Sequence, residues 1–404
     1  MSGNLLQSSL AVLFAWCVAV TFVSAEDNAH LERLGAPAWH ARGISGKGVT
    51  VAILDNGFRS YRTQLGATLP QRVETRSFRE DGNLEARDSI HGLLCAEVVH
   101  TIAPDAKLLF ANWEPDDPRS FLKAVAWARQ RGATIISCSI VMPGWSDGLG
   151  GGEVHRELSN LLDGVLFFAS AGNLAQRHWT GAFRDDGNGR HVWNQSQTQN
   201  AVIPWDNQPV SVELVARSAA IYRLTVVDDE GKPIETTQAP LAPGVHGSAV
   251  RFAPKQGKRY RASVELVSGT GGELRLIALG GELEHTTSTG CMVFPGDGND
   301  VMAVGAVSLR NERLPYSSTG SAGRFAKPVC VAPVPFPSRI RHDGFDGTSA
   351  ASPQAAGVAA LMWSRDTRAQ AVSIRSSLSK CCVDTGVQGL DAETGHGVIH
   401  LPCP

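Results

Sequence analysis

Residues 48–57 read GVTVAILDNG. An unbroken apolar run closed by a polar turn is what a strand buried on both faces of a parallel sheet requires, because a strand with one face in water would alternate. Outward from it, helical and strand patterns take turns. HGLLCAEVVHTI (91–102) has helical periodicity and is broken by Ala103-Pro104-Asp105, and AKLLFANW (106–113) is a second buried strand. PRSFLKAVAWARQRG (118–132) and GEVHRELSNLLDG (152–164) read as helices, ATIISCSIVM (133–142) and VLFFASAGN (165–173) as strands. This rhythm predicts an α/β fold with a doubly wound, mainly parallel sheet.

After Asn173 the rhythm stops. Runs such as AIYRLTVVDDEG (220–231), YRASVELVSG (260–269) and ELRLIALGGEL (273–283) alternate and are punctuated by glycine and proline. They predict a small antiparallel β-sandwich inserted into the α/β unit. DVMAVGAVS (300–308) then restores a buried strand, and RAQAVSIRSSLSKCC (368–382) reads as a closing surface helix. The expected organisation is a leader over 1–25, the α/β unit over 26–178 and 291–404, and the insertion over 179–290. No fixed-period repeat and no long low-complexity tract interrupts it.

A chain of 404 residues, 43% apolar and 19% charged, is long enough for two or three domains with real cores. Its net charge of -2, with no basic stripe, gives no field for nucleic acid or anionic membrane. The apolar run Leu10–Val23, ended by Val23-Ser24-Ala25, has the form of a secretory leader cleaved before Glu26 and is too short to span a bilayer comfortably. Its n-region lacks Lys and Arg; an uncleaved anchor and a buried helix are the weaker alternatives. The expectation is a secreted or extracytoplasmic protein without a stable membrane span. Export leaves seven cysteines, Cys95, Cys138, Cys291, Cys330, Cys381, Cys382 and Cys403, an odd number that cannot pair completely within the chain. No C-x-x-C spacing points to zinc, and Cys95 and Cys138 fall in segments read as buried helix and strand.

DGTSAASPQAAGVAAL (346–361) raises the question of function. Ser349 alone is adequately explained as the start of an alanine-rich helix, with Pro353 read as lying in its first turn, where a missing N–H costs nothing. Two further residues change that reading. Asp55 ends the first buried strand, at the sheet edge where open α/β folds bind ligands, and His91 opens a helix followed at once by Gly92. Carboxylate, base and nucleophile therefore lie at element termini, on one edge of one sheet.

Four segments together resemble the subtilisin-like serine peptidases, the subtilase family: VAILDNG, IHGLLCAEVVHTIAPDA, FFASAGN and DGTSAASPQAAGVAAL. The order Asp, His, Ser is that of subtilisin. The resemblance covers about residues 26–175 and 290–400 and implies an endopeptidase that works through an acyl-enzyme on protein or peptide substrates, without a cofactor. It makes Ser349 the nucleophile, His91 the general base and acid, Asp55 the orienting carboxylate and Asn173 the side-chain oxyanion donor. Ser139, Ile140, Val141, Ser170 and Gly172 would contact substrate.

The chain departs from the family's pattern in several places. Asn56 stands where Thr or Ser is usual, and Val141 and Met142 replace a glycine-bearing stretch that walls the primary specificity pocket. The leader runs almost directly into LERLGAPAWHARGISGKGV, which leaves no room for a folding propeptide. DDGNG (185–189) and DGND (297–300) resemble fragments of calcium loops but lack the full ligand spacing and closing Glu, so a structural calcium has no complete motif behind it. Two rival readings stand beside the peptidase: an inactive subtilase-like binding module, and an α/β-hydrolase esterase using Ser146 of the G-x-S-x-G run 144–148. The second needs a helix immediately after Ser146, where GLGGG intervenes. Oligomeric state has no sequence signal.

Overall fold

Seven parallel strands and the helices between them carry the candidate site residues, and the strand order explains where those residues gather. A computed structural model describes residues 25–86, 89–234, 238–239, 241–321 and 327–402. The leader expected at 1–25 lies outside them except for Ala25, the first residue of helix α1 (Ala25–Leu34), and so does Cys403. Helix α2 (Ala36–His40) follows, then strands β1 (Thr50–Leu54) and β2 (Glu74–Phe78), helix α3 (His91–Ile102) and strand β3 (Lys107–Trp113). Helix α4 (Pro118–Gln130), β4 (Ile135–Cys138), α5 (Glu153–Leu161) and β5 (Leu166–Ser170) complete the first run. The same sheet resumes much later with β15 (Val301–Val307) and β16 (Cys330–Pro333), followed by α6 (Thr348–Arg365) and α7 (Ala371–Lys380).

The strands lie in the order β16-β15-β5-β4-β1-β3-β2, and every pairing is parallel. The order reverses across β1, which places the crevice of the doubly wound sheet at the carboxyl end of that strand. β1 reads as apolar throughout because both its faces are covered. Val51 and Ile53 enter the core formed with α3 and α6, whereas Ala52 and Leu54 enter the core formed with α4 and α5. The edge strand β2, ETRSF, carries no apolar run, and the hydrophobic pattern passes over it. Its half-exposed, charged character suits an unprotected edge.

The segment after β5 folds into two antiparallel sheets. Its strands are β6 (His178–Ala182), β7 (Asn200–Pro204), β8 (Val210–Ala216), β9 (Ile221–Val227), β10 (Gln238–Ala239), β11 (His246–Phe252), β12 (Tyr260–Ser268), β13 (Glu273–Leu279) and β14 (Gly281–Leu283). One sheet runs β10-β11-β8-β13-β6, the other β14-β7-β12-β9. Alternate residues such as Val212, Leu214, Val264, Leu274 and Leu276 meet in one core between them. A second, smaller contact of Leu174, Ala175, Ile277, Cys291 and Val293 ties this insertion to the parallel sheet just beyond Asn173. Among the described residues no helix is long and apolar enough to cross a membrane, and the six described cysteines are free.

Candidate active site

Asp55 is the first residue past β1 and is fully buried. Its Oδ1 accepts the backbone N–H groups of Asn56 (2.8 Å) and Gly57 (3.0 Å), the self-capping turn that a DNG sequence favours. That leaves Oδ2 to accept a 2.7 Å hydrogen bond from Nδ1–H of His91. His91 stands at the first position of α3, and the N–H groups of Gly92 and Leu93 donate to the Gly57 carbonyl (2.7 and 3.2 Å), locking helix start to strand end. Gly92 is obligatory for this approach, since a Cβ there would lie 2.6 Å from Asp55 Cβ and 2.9 Å from the Phe58 ring.

The half-buried imidazole meets Phe345 edge to face at 5.6 Å. Burial disfavours its charged form, but the Asp55 charge and hydrogen bond outweigh burial and raise the His91 pKa above its ordinary value. Nδ1 is thereby held as a donor, which leaves Nε2 as the basic nitrogen.

Ser349 is the second residue of α6, behind Gly347. Its hydroxyl is turned to the Ser139 carbonyl at 3.4 Å rather than to His91 Nε2. Pro353 lies inside α6 and not in its first turn, so the sequence reading of that residue is corrected. A proline at this position removes the N–H that would have bonded the carbonyl four residues back, which is that of Ser349. The freed carbonyl instead accepts from Ser139 Oγ (3.1 Å) and, more weakly, from Cys95 Sγ (3.7 Å). Ser139 and Cys95 thus brace the serine turn from β4 and α3. The buried Cys95 thiol is pushed far above its ordinary pKa by burial and by the Asp55 charge, so it stays protonated and acts as a donor.

Asn173 reaches the same place from the end of β5. Its Oδ1 accepts both the N–H (3.0 Å) and Oγ1–H (2.8 Å) of Thr348. With Oδ1 so occupied, the amide orientation is fixed and Nδ2 faces the helix start. A Cβ on Gly347 would sit 2.9 Å from that nitrogen. Gly172, at φ +96°, donates its N–H to Thr348 Oγ1 (3.2 Å). Thr348 is therefore the tether between the amide and the serine, a role no motif reading assigned to it.

The remaining expected contacts divide. Ile140 and Val141 line a cavity beside Asn56, Ser139 and Gly172 touch the Ser349 turn through the bonds above, and Ser170 is buried at the end of β5. Ser146 fails as a nucleophile. It is wholly buried, its hydroxyl donates to Asp297 Oδ2 (2.8 Å), and it follows a 3-10 turn (Pro143–Trp145) in extended backbone, with no helix until Glu153. Asp297 also binds His155 (2.8 Å) and the Gly150 N–H (3.1 Å), a structural cluster uniting segments far apart in sequence. The carboxylates of the 185–189 run accept nearby backbone N–H groups, as turn residues do.

Comparison with known proteins follows the same lines. The sequence model of the Subtilase family matches residues 46–203 and 188–397. The minor extracellular protease Epr of Bacillus subtilis (strain 168) is 25% identical over 245 residues, which is 57% of this chain and 35% of Epr. Subtilisin DY of Bacillus licheniformis is 24% identical over 214 residues, 51% of this chain and 74% of that protein. This chain spans about a third of the length of Epr. Among solved structures, the Clostridium perfringens CspB protease superposes with a TM-score of 0.67 at 15% identity, covering 92% of this chain and 95% of its own. A lanthipeptide protease gives 0.51 at 17% identity, covering 93% and 95%. Both structural likenesses extend through the fold as a whole.

Proposed function

The chain belongs to the subtilase family, and on that premise we propose that it is a serine endopeptidase acting through Asp55, His91 and Ser349. The observation that carries the reading is the Asp55–His91 hydrogen bond, set at the strand end beside the start of the serine helix. A rotation of the Ser349 side chain about χ1 turns Oγ from the Ser139 carbonyl toward Nε2 of His91. Such bonds are often long or misaligned before substrate binds. His91 then takes the hydroxyl proton as Oγ attacks the scissile carbonyl, and Asp55 stabilises the imidazolium that forms. The oxyanion is met by Asn173 Nδ2 and the Ser349 N–H, at the positive end of α6. His91 returns the proton to the leaving amine, and water repeats the sequence on the acyl-enzyme.

Protein or peptide substrates follow from this chemistry; secretion is proposed separately, from the leader-like run before Glu26 and the extracellular relative Epr. Labelling with a fluorophosphonate probe, followed by peptide mass mapping, tests the reading. An adduct on Ser349 that is absent from Ser349→Ala is the expected result. No adduct on folded protein overturns it in favour of an inactive binding module.

A further inference from the structure

A cavity of about 850 Å³ opens beside Asn56 and is walled by both halves of the molecule. The parallel sheet contributes Trp113, Ile140, Val141 and Met142; the insertion contributes Leu241, Leu279 and Glu213. The insertion is fixed in place there. Ala242 N–H donates to the Gly144 carbonyl (2.9 Å), and Arg251 pairs with Asp116 (2.8 Å) across the junction. The lining is acidic as well as apolar: among the described residues it holds Asp116, Asp117, Glu153, Glu157 and Glu213 against Arg119 and Arg251.

Glu213 is the informative member. It belongs to β8, is 4% exposed, accepts from Ser211 Oγ (3.1 Å) with the Gly144 backbone beside it, and among the described residues bonds no cationic group. The guanidinium closest in charge, that of Arg251, is already bonded to Asp116. A buried carboxylate lacking a cation of its own is unfavourable until one joins it. Burial accordingly raises its pKa, against the pull of Arg251 and with a small push from Asp116.

Resting on the peptidase reading, we propose that this cavity receives the substrate chain within a few residues of the scissile bond and selects a lysine or arginine side chain there. The cationic head meets Glu213, while the stem lies along Leu241 and Met142, as long basic side chains do on apolar surface. The insertion is then the source of specificity, not an appendage.

The test separates this claim from catalysis by using uncleavable conditions. Eight-residue acetylated peptides carrying lysine, norleucine or glutamate at each position in turn are bound to Ser349→Ala protein by fluorescence anisotropy. At one position lysine should bind about tenfold or more tightly than norleucine, the scale of one charge-assisted hydrogen bond. Glu213→Gln should bring that ratio to about 1, and Leu241→Trp, which fills the cavity, should weaken all three peptides. In the parent the lysine preference should also grow as pH rises through the Glu213 titration. A lysine-to-norleucine ratio near 1 at every position, or a preference that survives Glu213→Gln, overturns the proposal. Fluorophosphonate labelling of the parent chain, run alongside, reports on the peptidase reading by itself.

Discussion

Replacing Gly92 by alanine should disable the site while leaving the fold nearly intact. The backbone of Gly92 is ordinary helix, so alanine gains about 1 kcal/mol of helix propensity. The added Cβ would nonetheless lie 2.6 Å from Asp55 Cβ and 2.9 Å from two Phe58 ring carbons, where carbon atoms ordinarily stand about 3.5–4.0 Å apart. About 1 Å of relief is needed. Phe58 cannot easily supply it, being fully buried and stacked on Phe110 at 4.9 Å. Asp55 is held by its own N–H on the Ala111 carbonyl (3.1 Å). The displacement therefore falls on the first turn of α3, and His91 is its first residue. Overpacking of this kind costs about 1–3 kcal/mol, which the helix gain offsets in part. A catalytic group misplaced by about 1 Å costs on the order of 10²-fold in rate. The assay is kcat/KM on a short chromogenic peptide, beside a thermal melt. A variant that keeps its parent's kcat/KM within about threefold, with an unchanged melt, would refute the argument that Gly92 sets the Asp55–His91 geometry.

Asp55→Asn should move the acid limb of the kcat/KM profile to lower pH. The parent limb should lie above the ordinary imidazole value, because on this reading activity needs neutral His91 and Asp55 stabilises its charged form; without that charge burial dominates, and burial lowers the pKa. A limb that stays in place would contradict the cause assigned to the shift. Thr348→Val removes the hydroxyl that binds Asn173 and receives Gly172. It should lower kcat by about tenfold with little change in KM, less than the roughly 10²–10³ expected for Asn173→Ala; steady-state kinetics of the two variants gives the comparison. Ser146→Ala should label fully with fluorophosphonate. Asp297→Ala should lower stability by about 3–5 kcal/mol in denaturant melts, because it leaves buried His155 and Ser146 without their shared acceptor.

The residues best marked in the sequence are those whose role is set by where an element ends. Asp55 closes an apolar strand, His91 and Ser349 begin helices, and Asn173 ends another strand, so each is visible in a window of a few residues. The order of strands, by contrast, is not written locally. The buried run at 48–57 implies two covered faces, but that β1 lies at the reversal of the sheet emerges only from its pairing with β3 and β4. Glu213 was invisible for the same reason. In sequence it is one acidic residue in an alternating strand, and only the packing of β8 against the Gly144 turn puts its carboxylate into a cavity wall. The Ser146–Asp297 bond joins residues 151 positions apart, and no spacing rule reaches that far.

Pro353 shows how a misplaced boundary changes a physical conclusion. With Pro353 counted in the first turn, its missing N–H has no consequence; with the helix running from Thr348 and Pro353 inside it, the missing N–H is the one that would have bonded the Ser349 carbonyl. That carbonyl is taken up by Ser139 at the end of β4 and by Cys95 on α3. The serine turn is thereby tied to the strand that leads into Ile140 and Val141 and to the helix that carries His91. A helix with an ordinary residue at 353 would bring a third donor, its own N–H, into competition with both for the same carbonyl. The proline thus exchanges one local hydrogen bond for two long-range ones, and these hold the Ser349 turn in register with the helix that carries His91 and with the strand that leads into Ile140 and Val141.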